Sequence, residues 1–176
     1  MSCTEIYGFD VNGNAYHYKD VPHAQCGAMA VWRFLEKTYL PQFYTEQEHI
    51  PMSRCFYMDS DHMWEIWDLI THPEVSNTDK ICLGCTFDKT LVRKEDLPKV
   101  IEAFRDFKGE TSLKEQANIL EELYDSDNCI AVGWNQVSTN SDNWETYDYI
   151  ETAGNYVTYN CIRGQSHNWL FDKLEG

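Results

Sequence analysis

Lysine and arginine are scarce in this chain, 14 together against 29 aspartates and glutamates, and the formal charge is −15. From Glu115 to Ile162 neither basic residue occurs. Direct DNA or RNA binding is therefore not expected, because it needs basic side chains to displace counterions from phosphates. An anionic membrane surface is disfavoured on the same ground. The chain also lacks an apolar run of about 20 residues, the length that spans a bilayer. Met1 to Asp10 has neither a basic leader nor an apolar stretch, so no secretion signal is expected. Repeats, low-complexity tracts and linkers are missing too, and at 176 residues one domain covering 1–176 is the expectation.

Hydrophobic residues are not scarce. They make up 43% of the chain and aromatics 14%, too much for a disordered acidic segment. The carboxylates therefore sit on a folded body, where their spacing is fixed. Seven cysteines, Cys3, Cys26, Cys55, Cys82, Cys85, Cys129 and Cys161, form an odd, scattered set. Without a secretion signal they read as reduced thiols of a cytoplasmic protein.

The order of elements points to an α+β fold. Ile6–Asp10 and Ala15–Tyr18 flank Val11-Asn12-Gly13-Asn14, a hairpin turn. Ala28, Val31, Leu35 and Tyr39 recur at helical spacing before Pro41. Arg54–Met58 is expected as a short strand. A helix follows from Asp59 or Ser60 to Thr71, with Met63, Ile66, Trp67 and Ile70 inward. Lys80–Val92 is expected as a strand. Asp96-Leu97-Pro98 opens a helix with Leu97, Ile101, Phe104 and Phe107 along its stripe. Ser112-Leu113-Lys114-Glu115 reads as a capping box, starting a helix packed through Leu113, Ala117, Leu120 and Tyr124. Three strands follow, at 129–137, 143–149 and 156–162, the last two joined by a turn at Thr152–Asn155. The sum is a mainly antiparallel sheet with three to four helices packed on one side.

Two acidic stretches stand out. In the first, Asp61, Glu65 and Asp68 fall at i, i+4 and i+7 of a helix, with His72 a turn beyond. A metal site would need matching ligands on a second helix, and none is evident. In the second, Glu115, Glu121, Glu122 and Asp125 cluster opposite the apolar stripe, with no lysine four residues away. Asp127, Asp142, Glu145 and Asp148 continue it. Simple solubility explains such charge. A nucleic-acid mimic, with carboxylates standing in for phosphates, explains it equally.

Cys82-x-x-Cys85 has zinc-knuckle spacing without a second pair, so buried thiols are expected. Asp10–Asn14 departs from a calcium loop at the glycine and at the final glutamate. No metal and no cofactor are expected. Cys26, at a helix N-terminus, has the position of an activated nucleophile, and His167 follows it in the order a cysteine hydrolase requires. The orienting third residue is missing.

The segment Thr86–Phe107, a strand running into a Glu95-Asp96-Leu97-Pro98 helix start, resembles small phage and prophage proteins of α+β type. The resemblance implies a mobile-element accessory protein, a class that includes anti-CRISPR and antirestriction inhibitors. It carries a helix start rather than a site, so it transfers no functional residue. The reading that results is a non-enzymatic acidic protein. Its carboxylate face is expected to occupy a basic surface of a nucleic-acid-binding protein or nuclease, with Trp134, Trp144, Tyr147 and Tyr149 as aromatic anchors.

Overall fold

The computed structural model describes residues 3–22, 24–44, 60–62, 64–87, 89–109, 111–136, 144, 147–150, 155–158, 162 and 167–176. Strands β1 (Cys3–Phe9) and β2 (Ala15–Pro22) form the expected hairpin. Asp10 holds its turn: Oδ1 accepts from the backbone N–H groups of Asn12 and Asn14, both at 2.9 Å. Gly13 supplies the left-handed backbone, φ 81°. Helix α1 (Ala24–Tyr39) follows the hairpin. The strand expected at Arg54–Met58 lies outside the described residues.

The helix expected to end at Thr71 is broken. A 3₁₀ turn at Ser60–His62 precedes α2 (Glu65–Asp68), and a second 3₁₀ turn spans Leu69–Thr71. Ile66, Leu69 and Ile70 are buried, whereas Trp67 is 40% exposed. Trp67 follows Ile66 and so sits about 100° round the helix from it. It meets Trp32 edge-on at a ring separation of 6.1 Å instead of entering the core.

Lys80–Val92 is not one strand. Asn77–Gly84 is helix α3, and only Thr90–Arg93 forms a strand, β3. Ser76 decides this. Its Oγ accepts the Asp79 N–H at 3.1 Å, an N-cap that starts a helix over an apolar run which periodicity alone leaves ambiguous, and the hydroxyl donates to Asp79 Oδ2 at 2.8 Å.

Helices α4 (Leu97–Asp106) and α5 (Leu113–Asp125) begin where expected. The capping box at Ser112 does not form. Ser112 Oγ accepts from Gln116 Nε2 at 3.1 Å, and Thr111 Oγ1 takes the Leu113 N–H at 3.0 Å. Leu113, Ala117 and Leu120 are buried with Ile119 and Leu123, but Tyr124 turns outward. Truncating Leu120 to Ala would cost about 2–5 kcal/mol.

Strands β4 (Ala131–Gln136), β5 (Tyr147–Ile150), β6 (Asn155–Thr158) and β7 (Asn168–Trp169) and helix α6 (Leu170–Glu175) are the remaining described elements. The main sheet has the order β2-β1-β4-β3-β7, and β5 with β6 makes a separate antiparallel pair. Every neighbour in the main sheet is antiparallel except β3 and β7, so the sheet is mixed. The fold is α+β. Alternation along the strands separates two faces. Ile6, Val92, Val132 and Trp134 join buried residues of all six described helices, more than the three to four expected, in one core. Tyr7, Phe9, Leu91 and Ala131 point the other way and pack with Trp144. No described helix is long and apolar enough to cross a membrane.

Candidate functional site: an acidic groove between two helices

The packed pair α4 and α5 buries its apolar stripes and leaves two charged edges facing each other. Glu102 and Asp106 are spaced i, i+4 on α4, and Glu121 and Asp125 have the same spacing on α5. Each pair therefore covers about 6 Å along its helix. All four line a groove of about 600 Å³, floored by Ile101 and bounded by Pro98 and Tyr124. Among the described residues a single cation enters it. Arg105 Nη2 sits 2.6 Å from Glu121 Oε2 and 3.4 Å from Asn118 Oδ1. The side chains of Glu102, Asp106 and Asp125 make no hydrogen bond or ion pair among the described residues.

A second groove, of about 480 Å³, runs along the opposite flank of α4 between Asn77, Phe171 and Glu175. Glu102 and Asp106 line both, so they form an acidic ridge between two clefts. Lys99, beside them, is committed elsewhere. Its Nζ donates to Asp96 Oδ1 at 2.7 Å and lies 4.7 Å over the Phe171 ring. The hydrogen bond to Asp96 raises the Lys99 pKa and holds its charge on that carboxylate.

Part of the face expected from sequence is neutralised by tertiary contacts. Glu122 accepts from Tyr18 Oη at 2.9 Å and from Lys19 Nζ at 3.3 Å, both on β2. The Tyr18 hydrogen bond first, and Lys19 second, lower its pKa. Glu121 is held by Arg105. Glu115, Asp125 and Asp127 are exposed and make no such pair among the described residues. Asp61 and Asp68 are exposed and Glu65 half-buried on a segment that packs against α1 and α3, away from the groove. Asp142 and Glu145 lie outside the described residues, as does the side chain of Asp148 in β5.

The aromatic anchors are corrected in two places. Trp144 is 1% exposed and Trp134 is also buried, so neither is available to a partner. Trp144 instead seals the second face of the sheet. Its Nε1 donates to the Trp134 carbonyl at 3.0 Å, and its ring meets Phe9 edge-on at 5.2 Å. The side chains of Tyr147 and Tyr149 lie outside the described residues. Among the described residues, aromatics that do reach solvent are Tyr124, on the groove rim, Trp64 and Trp67 on the α2 segment, and Tyr18 on β2.

Cys26 lies in the first turn of α1, and its side chain falls outside the described residues. His167 stands edge-on to Trp169 at 5.4 Å, beside the edge strand β7. Cys82 in α3 and Cys85 just after it are buried free thiols, as expected. Burial pushes both pKa values up, which makes them poor ligands and nucleophiles.

Glu102 and Asp106 were not legible as site residues because they fall outside the lysine- and arginine-free stretches. Their i, i+4 spacing opposite the stripe Leu97, Ile101, Phe104 was the available signal. Comparison with protein-family models, curated proteins and solved structures returns no match.

Proposed function

We propose that this is a non-enzymatic binding protein whose acidic groove between α4 and α5 meets a basic, nucleic-acid-binding surface on another protein. The observation that carries the reading is the set of Glu102, Asp106 and Asp125, exposed carboxylates held on rigid helices without cationic partners among the described residues. Charge left unneutralised on a fixed scaffold gains no folding stability, but it supplies electrostatic complementarity and fast encounter with a basic partner. Duplex phosphates lie at about 3.4 Å of rise per strand, and carboxylates about 6 Å apart along paired helices approach such an array. Tyr124, 41% exposed on the rim, offers an aromatic contact beside the charges. In its most specific form the partner is a defence nuclease and the protein an inhibitor encoded by a mobile element. That form leans on the resemblance of Thr86–Phe107 to phage proteins.

The test is a pull-down from host lysate at low and high salt, followed by DNA-binding assays on whatever is retained. A partner captured in a salt-sensitive way, and unable to bind DNA while complexed, is the expected result. Partners that bind DNA equally well in the complex would overturn the reading.

A further inference from the structure

We propose a second site, on the β1–β2 hairpin away from the acidic groove: a single-ion centre for a zinc-type divalent cation, with Cys3, Glu5 and Asp20 as its ligands. Cys3 and Glu5 alternate along β1 and so share a face, and Asp20 is the direct cross-strand partner of Glu5. Cys3 Sγ and one oxygen from each carboxylate lie within 4.8 Å of one another. Ligands around tetrahedral zinc are roughly 3.5 Å apart, given bonds of about 2.0–2.3 Å, so small side-chain rotations close the site.

Each carboxylate is held by one oxygen and has the other unengaged. Glu5 Oε2 accepts from Tyr7 Oη at 2.9 Å and from Asn135 Nδ2 at 2.8 Å, while Oε1 carries no hydrogen bond among the described residues. Asp20 Oδ1 bonds His17 Nε2 at 2.6 Å, and its Oδ2 is likewise unengaged. Carboxylates that ligate metals are oriented by such outer hydrogen bonds.

An independent observation comes from β4. Asn135 is 6% exposed and its Oδ1 has no hydrogen-bond partner. The amide cannot simply turn over, because Nδ2 is committed to Glu5. The oxygen is thereby fixed, buried and unpaired on the residue that holds Glu5, one of the three ligands. Buried acceptors of this kind normally have a donor. Water on a three-ligand zinc-type ion, in the fourth position, is a donor of the right kind. The thiolate selects against Mg²⁺ and Ca²⁺, which take oxygen ligands in larger number.

The experiment uses the tag-free full chain titrated with Co²⁺. Expected are one equivalent bound, a thiolate-to-cobalt charge-transfer absorption, and displacement by Zn²⁺ but not by excess Mg²⁺ or Ca²⁺. Cys3→Ser should abolish the absorption, and Asp20→Asn should weaken affinity roughly ten-fold or more. Circular dichroism on both variants checks that the fold is retained. Cys3 stands at the end of β1 and Asp20 is exposed, so neither change reaches the core. An absorption that survives Cys3→Ser, an Asp20→Asn affinity equal to wild type, or no absorption at all would overturn the proposal and leave a solvated acidic cluster only.

Discussion

Arg105 on α4 holds Glu121 on α5 across the acidic groove at 2.6 Å. Both side chains are about half exposed, so the pair contributes little to stability, on the order of 0.2–1 kcal/mol. Its larger effect is on the field, because Arg105 is the one cation lining that groove among the described residues. Arg105→Gln is therefore expected to leave the thermal midpoint nearly unchanged while making the groove more negative. Association with a basic partner should quicken, and its salt dependence should steepen. Stopped-flow rates across a salt series measure this, and a slower variant would argue against the groove as the contact.

Charge reversal separates the groove from the rest of the acidic surface. Glu102→Lys with Asp125→Lys changes two carboxylates that have no partner among the described residues, so the fold should hold within about 0.5 kcal/mol. Binding should slow, with a shallower salt slope. Glu122→Lys acts differently. It breaks the bond to Tyr18 and faces Lys19 with a like charge, so it should lower stability modestly and leave groove binding largely intact. Equal binding losses from both changes would mean that the acidic surface acts only through net charge.

Ser76 carries the start of α3, and its removal should be felt beyond the cap. Ser76→Ala is expected to cost about 1 kcal/mol in urea unfolding, as helix caps typically do. Asp79 would lose one of its two hydroxyl donors and keep Tyr39 Oη at 2.6 Å. Ser76→Asn retains a side-chain acceptor and should recover most of the loss. An Asn variant as unstable as the Ala variant would show that the cap geometry does not control α3.

The class of fold and the start of α4 were legible because local signals agreed with the tertiary answer: Asn12-Gly13 for the hairpin, Leu97-Pro98 for the helix. Residues 80–92 misled because Ile81-Cys82-Leu83 suits a strand as well as a helix, and the deciding Ser76–Asp79 contact lies upstream. Residues 168–175 went unread because β7 contributes only Asn168 and Trp169, too short to show alternation. The site was half legible. Glu121 and Asp125 stood out in a stretch free of bases, but Lys19 and Arg105, which neutralise Glu122 and Glu121, arrive from distant elements. Glu102 and Asp106 were hidden among their own basic neighbours, Lys99, Arg105 and Lys108. Trp144 reads as a surface anchor in the sequence because nothing local shows that Gly133 opens a slot for its ring.

Glu122 gives the molecule part of its acid sensitivity. The Tyr18 hydrogen bond and Lys19 depress its pKa below the ordinary 4.5, so folding binds fewer protons there than unfolding does. The stabilisation is present above the unfolded value and is lost as pH falls through the folded one. Asp172, lowered by its Arg93 hydrogen bonds, behaves in the same direction. Glu122→Gln should therefore lower the thermal midpoint slightly at neutral pH, where this stabilisation is present, and make its fall below about pH 4.5 shallower, so that the two curves converge in acid. Parallel wild-type and variant curves across that range would remove Glu122 from the account.

Gly133 and Trp144 must be read together. A Cβ at Gly133 would lie 2.9 Å from Trp144 Cε2 and Cζ2 and 3.0 Å from Leu91 Cδ2, closer than packed carbons tolerate. The backbone of β4 is pinned between β1 and β3, so the indole must yield. It then forfeits the Nε1 bond to the Trp134 carbonyl and the edge contact with Phe9. Gly133→Ala is expected to cost about 1–3 kcal/mol, the usual range for overpacking. The cause can be isolated with a double-mutant cycle. Trp144→Phe removes the outer part of the ring system and relieves the clash, so Gly133→Ala should be less costly in that background, by a coupling of about 0.5–3 kcal/mol. Should the two costs simply add, the strain at Gly133 comes from Leu91 and the strand itself, and the indole would not be what requires glycine there.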